Sequence, residues 1–287
     1  MNSSFTNMNS GADGIQGFLS GQGVLSQTLL VIVLALILYI VMMMLESVYL
    51  LWAQAEGLRV DVFPYRQSGQ SGQVVIAQNP AISSALILPP SYNERTGAEF
   101  TYSFFLLLNP SGFSNTATTE LKHVFHKGYS KMTPLLSPGV FVHGAKNTLR
   151  IYANSTNKIH NYVDVEDIPI GKWVHVVILA RKNALEIYVN GNIIKKLSVD
   201  GVLIQNYQDL ILFSQRQGIR LGTGEDEKQV NGPFNGDLAS LTYFSYAISY
   251  SEIQGLVSAG PSTETQKGTA ADTVNPYLVD NWWTGAH

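Results

Sequence analysis

The 287-residue sequence contains no cysteine. That absence excludes disulfides, thiolate nucleophiles and cysteine-based zinc or iron–sulfur centres, and it leans towards a reducing compartment. Charge is also sparse. Charged residues are 14% of the chain, and 18 basic against 21 acidic side chains leave a net charge of −3, so no global basic field invites nucleic acid. The runs Arg181-Lys182 and Lys195-Lys196 are short, flank strand-like segments and read as solvated edges. The six histidines form neither H-E-x-x-H nor H-x-H. His123 and His126 fall on opposite faces of one expected strand, where they cannot chelate together.

What the chain does have is 25 glycines, 30 aromatics and one long apolar run. The run "TLLVIVLALILYIVMMMLESVYLLW" covers residues 28–52 and carries a single charge, Glu46. As a helix it would extend about 37 Å, enough to cross a hydrocarbon core of about 30 Å. No Lys or Arg occurs in the first 27 residues and the run exceeds a signal-peptide core, so it reads as a permanent anchor. A span beginning at Val24 puts Glu46 at headgroup level, with Tyr49 and Trp52 as an interfacial belt. The rival reading buries Glu46 between helices or in a proton relay. Arg59 and Arg66 follow the span, and the positive-inside rule then places the large domain on the cytosolic side. Sequons at Asn2 and Asn154 would matter only in a secretory lumen.

Five regions follow. Residues 1–27 form a Gly/Ser/Asn-rich flexible tail, 28–52 the transmembrane helix, and 53–78 a tether or first strand whose "RQSGQSGQ" reads as linker or early surface turn. Residues 79–260 hold strand-length runs divided by turn signals, and 261–287 a linker and tail with Trp282 and Trp283. Strands at this spacing without helical periods indicate an all-β sandwich or barrel. In "LEIYVNGNII" the alternation sets Leu185, Ile187 and Val189 against Glu186 and Tyr188, and Asn190-Gly191 supplies a type I′ turn. "VVIL" (176–179) is apolar on both faces, as expected of a strand covered twice. "YSEIQGLVSAG" (250–260) reads as a helical turn with Ser251 as N-cap and Gly260 as stop.

Two segments, "IPIGKWVHVVILARKNALEIYVNGNIIKKL" and "GPFNGDLASLTYFSYAISYSEIQGLVSAG", resemble the laminin-G-like, concanavalin A-like lectin/glucanase jelly-roll superfamily. The matching positions are Trp173, His175, Val176, Tyr188, Asn190, Gly191, Phe234, Gly236, Leu238, Ala247, Glu252 and Ile253. The resemblance covers roughly residues 75–260 and implies a two-sheet antiparallel jelly-roll sandwich. "GAEFTYSFFLLLN", "KHVFHKG", "DIPIGKWVHV" and a terminal "WW" after a "GP" linker also resemble membrane-anchored proteins of this fold in large DNA viruses of algae and protists. That likeness implies a minor virion component, with capsid proteins as neighbours and the domain on the cytosol-derived side of an internal membrane.

The superfamily includes glycoside hydrolases, so the carboxylates require a test. A retaining glucanase of this fold carries E-x-D-x-x-E on one strand, and this chain has no such run. "DVEDIP" offers Asp164 and Glu166 at i, i+2, but Pro169 follows and no third acid arrives. Catalysis is therefore not expected. Calcium binding in laminin-G-like domains makes Asp164, Glu166, Asp167, Glu225 and Asp226 the candidate metal ligands, although no spacing singles them out. His175, on the face of Trp173, reads as structural. Sugar stacking points to Tyr129, Tyr152, Asn154, Asn157, Tyr162 and Tyr207, taken as loop residues. Trp282 and Trp283 would dock on the sandwich or on a partner. The expected partners are a bilayer, neighbouring proteins and, in the alternative lectin reading, glycans. On these grounds the full chain should stay with membranes through an alkaline wash and leave them only in detergent. Recovery in the soluble fraction would contradict the anchor.

Overall fold

A computed structural model describes residues 24–55, 58–91 and 98–265. Two compact units divide at Glu56/Gly57. The first is helix α1 (Val24–Ala55), in which the 23 residues Gln27–Tyr49 are long and apolar enough to cross a membrane by length and composition. The Tyr49 and Trp52 rings lie 6.0 Å apart near its end.

The second unit is a sandwich of two sheets. The first sheet takes β1 (Arg59–Ser68), β14 (Gly236–Phe244), β3 (Phe100–Leu108), β8 (Trp173–Arg181), β9 (Ala184–Val189) and β10 (Asn192–Ser198), in that spatial order and all antiparallel. The second sheet runs β12 (Gln217–Leu221), β13 (Lys228–Pro233), β4 (Glu120–Gly128), β5 (Leu136–His143), β6 (Leu149–Ala153) and β7 (Asn161–Val165). Two short strands, β11 (Leu210–Leu212) and β2 (Val74–Ile76), attach to it through β4. Among the described residues its one parallel pairing is β13 with β4. "RQSGQSGQ" resolves as the end of β1 and a single 3-10 turn (Gly69–Ser71), not a linker. Arg59 and Arg66 belong to β1 as well, where Arg59 pairs with Asp61, and Arg66 pairs with Asp237 and lies over the Trp173 ring.

Alternation decides what each strand buries. Phe104 and Leu106 of β3 and Val174, Val176 and Ile178 of β8 face the inter-sheet core, where Phe104 meets Phe125 of the opposite sheet edge-on at 5.1 Å. Val177 and Leu179 point the other way, under helix α2 (Tyr250–Ala259), against Ile248 and Ile253. The doubly apolar "VVIL" is thus covered on both faces, each large side chain contributing about 1.5–3 kcal/mol. Asn190 and Gly191 have φ of 48° and 82°, as a type I′ turn requires. Gln254 of α2 donates to the Gly191 carbonyl at 3.2 Å, tying that hairpin to the helix. Ser249, not Ser251, caps α2. It accepts from the Glu252 N–H at 3.3 Å while the Glu252 carboxylate accepts from its own N–H at 2.7 Å, and Ser251 lies inside the helix.

One irregularity changes the geometry. Opposite β5, His123 pairs with Phe141 and Phe125 with Val140, leaving Val124 as an extra residue in β4. Val124 and Phe125 both enter the inter-sheet core, and His123 and His126 both turn to the other face. The expectation of opposite faces fails here because the bulge cancels one step of alternation. Among the described residues the three packed clusters draw on residues 60–256, all within the second unit. Ile178→Ala should lower stability in urea denaturation by about 2–5 kcal/mol, and Ser249→Ala by about 1 kcal/mol.

Candidate ligand-binding cleft

The outer face of the second sheet is concave and carries its own apolar cluster. Leu121, Phe141, Tyr152 and Val230 come from β4, β5, β6 and β13, Leu221 from β12, and Met132 from the β4–β5 loop. Strands β7 and β12 end the sheet on opposite sides, yet the Tyr162 hydroxyl of β7 donates to Asp226 Oδ1 beside β12 at 2.5 Å. Only a strongly curled sheet permits that contact. A file of rings crosses the hollow: His126 to His123 at 4.9 Å, His123 to Phe141 at 5.4 Å, Phe141 to Tyr152 at 5.7 Å, and Tyr152 to Tyr162 at 5.9 Å.

Its polar groups are paired with care. Arg150 and Asp164 sit directly opposite each other in the β6–β7 hairpin. The Arg150 guanidinium donates twice to the carboxylate, Nε to Oδ1 at 2.7 Å and Nη2 to Oδ2 at 2.5 Å. Burial alone would raise the Asp164 carboxyl, but Arg150, helped by His143 at 3.6 Å, holds it well below the usual carboxylate range. The same guanidinium lies 4.0 Å over the Tyr162 ring. The bond to Asp226, then burial, pushes the Tyr162 hydroxyl up to about 12. Among the described residues, Arg150 Nη1, the Tyr152 hydroxyl and His160 Nε2 are buried without an aligned hydrogen bond.

The histidine pair is fixed by its neighbours. His123 Nδ1 accepts from the Ser214 N–H at 2.9 Å, so its Nε2–H donates to His126 Nδ1 at 2.6 Å, and His126 Nε2–H donates to the Tyr129 carbonyl at 3.0 Å. Desolvation, then the mutual repulsion of two cations, keeps His123 well below its ordinary pKa. Desolvation lowers His126 to about 4 despite the Tyr129 carbonyl.

At one end of the hollow opens a cleft of about 520 Å³. Asn157, Lys158, Ile159 and His160 of the β6–β7 loop form one wall, and Arg220 of β12 with Gly222, Thr223 and Asp226 of the β12–β13 turn form the other. Thr133 and Tyr162 complete it. Gly222, at φ 89°, is required because a Cβ would lie 2.8 Å from the Asp226 carbonyl oxygen.

The profile of the concanavalin A-like lectin/glucanases superfamily matches residues 81–254, more than half of the chain. The chain belongs to that superfamily. Among solved structures it is similar to the binding domain of botulinum neurotoxin DC in complex with rat synaptotagmin II. That match has 15% identity and a TM-score of 0.45, covering 68% of this chain and 42% of that one. The receptor binding domain of botulinum neurotoxin D matches at 11% identity and a TM-score of 0.45, covering 68% and 43%. This chain thus spans about two-fifths of the toxin chains it matches. No curated protein matches.

Within this superfamily fold, the residues singled out from sequence are distributed unevenly. Asn157, Tyr162 and Asp226 share the cleft. Tyr152 lies in β6, not a loop, and its ring is wholly buried, so it has no free face for a sugar. Asn154 is buried too. Its carbonyl accepts from the Leu136 N–H at 2.6 Å and its amide donates to the Pro134 and Ile159 carbonyls, which ties two loops together and leaves the sequon nitrogen inaccessible. Tyr129 and Tyr207 are exposed but outside the cleft. Of the calcium candidates, Asp164 is committed to Arg150 and Asp226 to Tyr162. Glu166 and Asp167 line a separate hollow with Lys146 and Asn147, and Glu225 stands on an exposed turn. Among the described residues no three His, Asp or Glu side chains converge on a metal position. Trp282 and Trp283 lie outside the described residues. Sequence reasoning missed Arg150, Lys158, His160 and Arg220. Only Arg150 had a local signal, its place opposite Asp164 across "LRIYA…NYVDV".

One nucleophile–base geometry exists elsewhere. Ser103 Oγ lies 2.8 Å from His175 Nε2 under α2. His175 Nδ1 has no hydrogen-bond partner among the described residues, and desolvation holds the ring at about 4. Among the described residues none orients the ring as a base would need.

The depressed histidines give a pH dependence of fixed sign. Below about 6.5 the unfolded chain takes up protons that the folded pair refuses. Stability is therefore full above about pH 6.5 and falls as pH drops towards about 4, with His126 alone contributing roughly 3 kcal/mol. Urea midpoints measured across that window should show the slope, and His126→Gln should flatten it.

Proposed function

We propose that the chain is a membrane-tethered, non-catalytic binding module whose ligand is a carbohydrate seated in the concave-face cleft. The observation that carries this reading is the cleft's composition. The Tyr162 ring is clamped between Arg150 and Asp226, and Asn157, Lys158, His160, Arg220 and Thr223 bring hydrogen-bonding groups around it. Sugars are held by an aromatic surface with a few convergent polar groups, and a pre-ordered site loses little entropy on binding. The non-catalytic part rests on Asp164. A glycosidase acid must stay protonated near neutral pH, and Arg150 holds this carboxyl ionised. Helix α1 supplies the tether.

The competing reading is a structural protein that touches capsid neighbours from the cytosol-derived side of a virion internal membrane. It draws on the missing cysteines and on the sequence likeness to virus proteins. It gives the cleft no role.

A glycan array probed with the full-length chain in detergent micelles separates the two. The expected result is selective saccharide binding that Asn157→Ala or Lys158→Ala, both in an exposed loop, weakens by roughly tenfold, the loss of one hydrogen bond to ligand. Tyr162→Phe, which frees Asp226, should weaken it comparably. Binding indifferent to all three variants, or no saccharide binding with protein crosslinks instead, would overturn the lectin reading.

A further inference from the structure

Strand β10 ends the first sheet, and among the described residues it pairs only with β9. Its exposed side chains are an unusual set for such an edge. Ile193 and Ile194 are 52% and 48% exposed, and Lys195 and Lys196 follow directly. A bulge between Ile193 and Lys195 sets this tip off from the regular ladder. Lysines on an edge strand discourage pairing with other chains, but two exposed isoleucines work against that purpose.

The charge along the same edge is lopsided. Arg181, which ends β8, and Lys182, in the β8–β9 turn, lie at the far end of the β9–β10 ladder and are both exposed. The one carboxylate in these elements, Glu186, is buried and accepts from Lys196 Nζ at 2.7 Å and the Tyr188 hydroxyl at 3.2 Å. Asp200, beyond the strand, is engaged by the Asn157 amide at 3.0 Å. Beyond the paired Lys196, a chain of net charge −3 thus presents Arg181, Lys182, Lys195 and an apolar pair along one edge.

We infer that this edge is a contact surface for an anionic lipid bilayer. Apolar side chains that enter the headgroup layer, flanked by lysines with flexible stems that reach phosphates, are how peripheral surfaces hold to charged membranes. The anchor keeps such a surface within reach at all times, so weak individual contacts suffice. The contact orients the sandwich on the membrane and is independent of the cleft.

The sandwich fragment 57–287 tests this without α1, and its failure is separable from failure of the anchor. It should float with phosphatidylcholine vesicles containing about one-third phosphatidylserine and not with phosphatidylcholine alone, less so as salt rises. Lys182→Gln and Lys195→Gln should each reduce flotation by roughly fivefold, with thermal melts unchanged. In Ile194→Cys, the chain's only thiol can carry an environment-sensitive dye, whose emission should shift to the blue on anionic vesicles. Equal flotation on both vesicles, none on either, or indifference to the lysine variants would each overturn the inference. So would a dye shift that follows protein concentration without lipid, which would assign the edge to a second copy.

Discussion

Both sheets of the sandwich are apolar on two faces at their centres, and each face must be taken out of water. The inter-sheet core covers one face of each. Helix α2 covers the second face of the first sheet, clamped by its capping box and by Gln254 on the hairpin turn. Among the described residues no helix covers the second sheet, which instead curls so that strands from its two ends close over a third cluster. That solution buries polar side chains, which is costly unless each finds a partner. The bidentate Arg150–Asp164 pair and the relay from Ser214 through His123 and His126 to Tyr129 are therefore conditions of the curl as much as products of it.

The cleft inherits its rigidity from the same constraint. Tyr162 is gripped from behind by a buried cation and in front by a carboxylate on a turn that only glycine can make. Both partners are spent on fixed contacts, Arg150 on Asp164 and Asp226 on the Tyr162 hydroxyl, as the binding role proposed for the cleft requires. The superfamily fold sets no function by itself, and on this scaffold the cleft side chains decide.

Local patterns in the sequence translated well. Asn190-Gly191 made its turn, the alternation around Ile187 chose its faces, and "VVIL" was covered twice, because each depends on neighbours within a few residues. The α2 cap was misplaced by two residues although the S-x-x-E spacing of Ser249 and Glu252 was present. The histidine pair was misjudged for a deeper reason. A bulge is dictated by what β4 meets on its far edge, where β13 gives way to β11, and no residue near Val124 announces that exchange. Tyr162 and Asp226 are 64 positions apart, so their bond follows from curvature alone.

The inward side chain of Asn154 bears on how the protein can be made. Its amide nitrogen is the atom an oligosaccharyltransferase would modify, and in the finished sandwich it is spent on two carbonyls. A sugar tree attached there during translation would hold those strands apart, and one offered afterwards would find nothing to react with. Synthesis with this domain facing the ribosome's own side of the membrane avoids the conflict altogether.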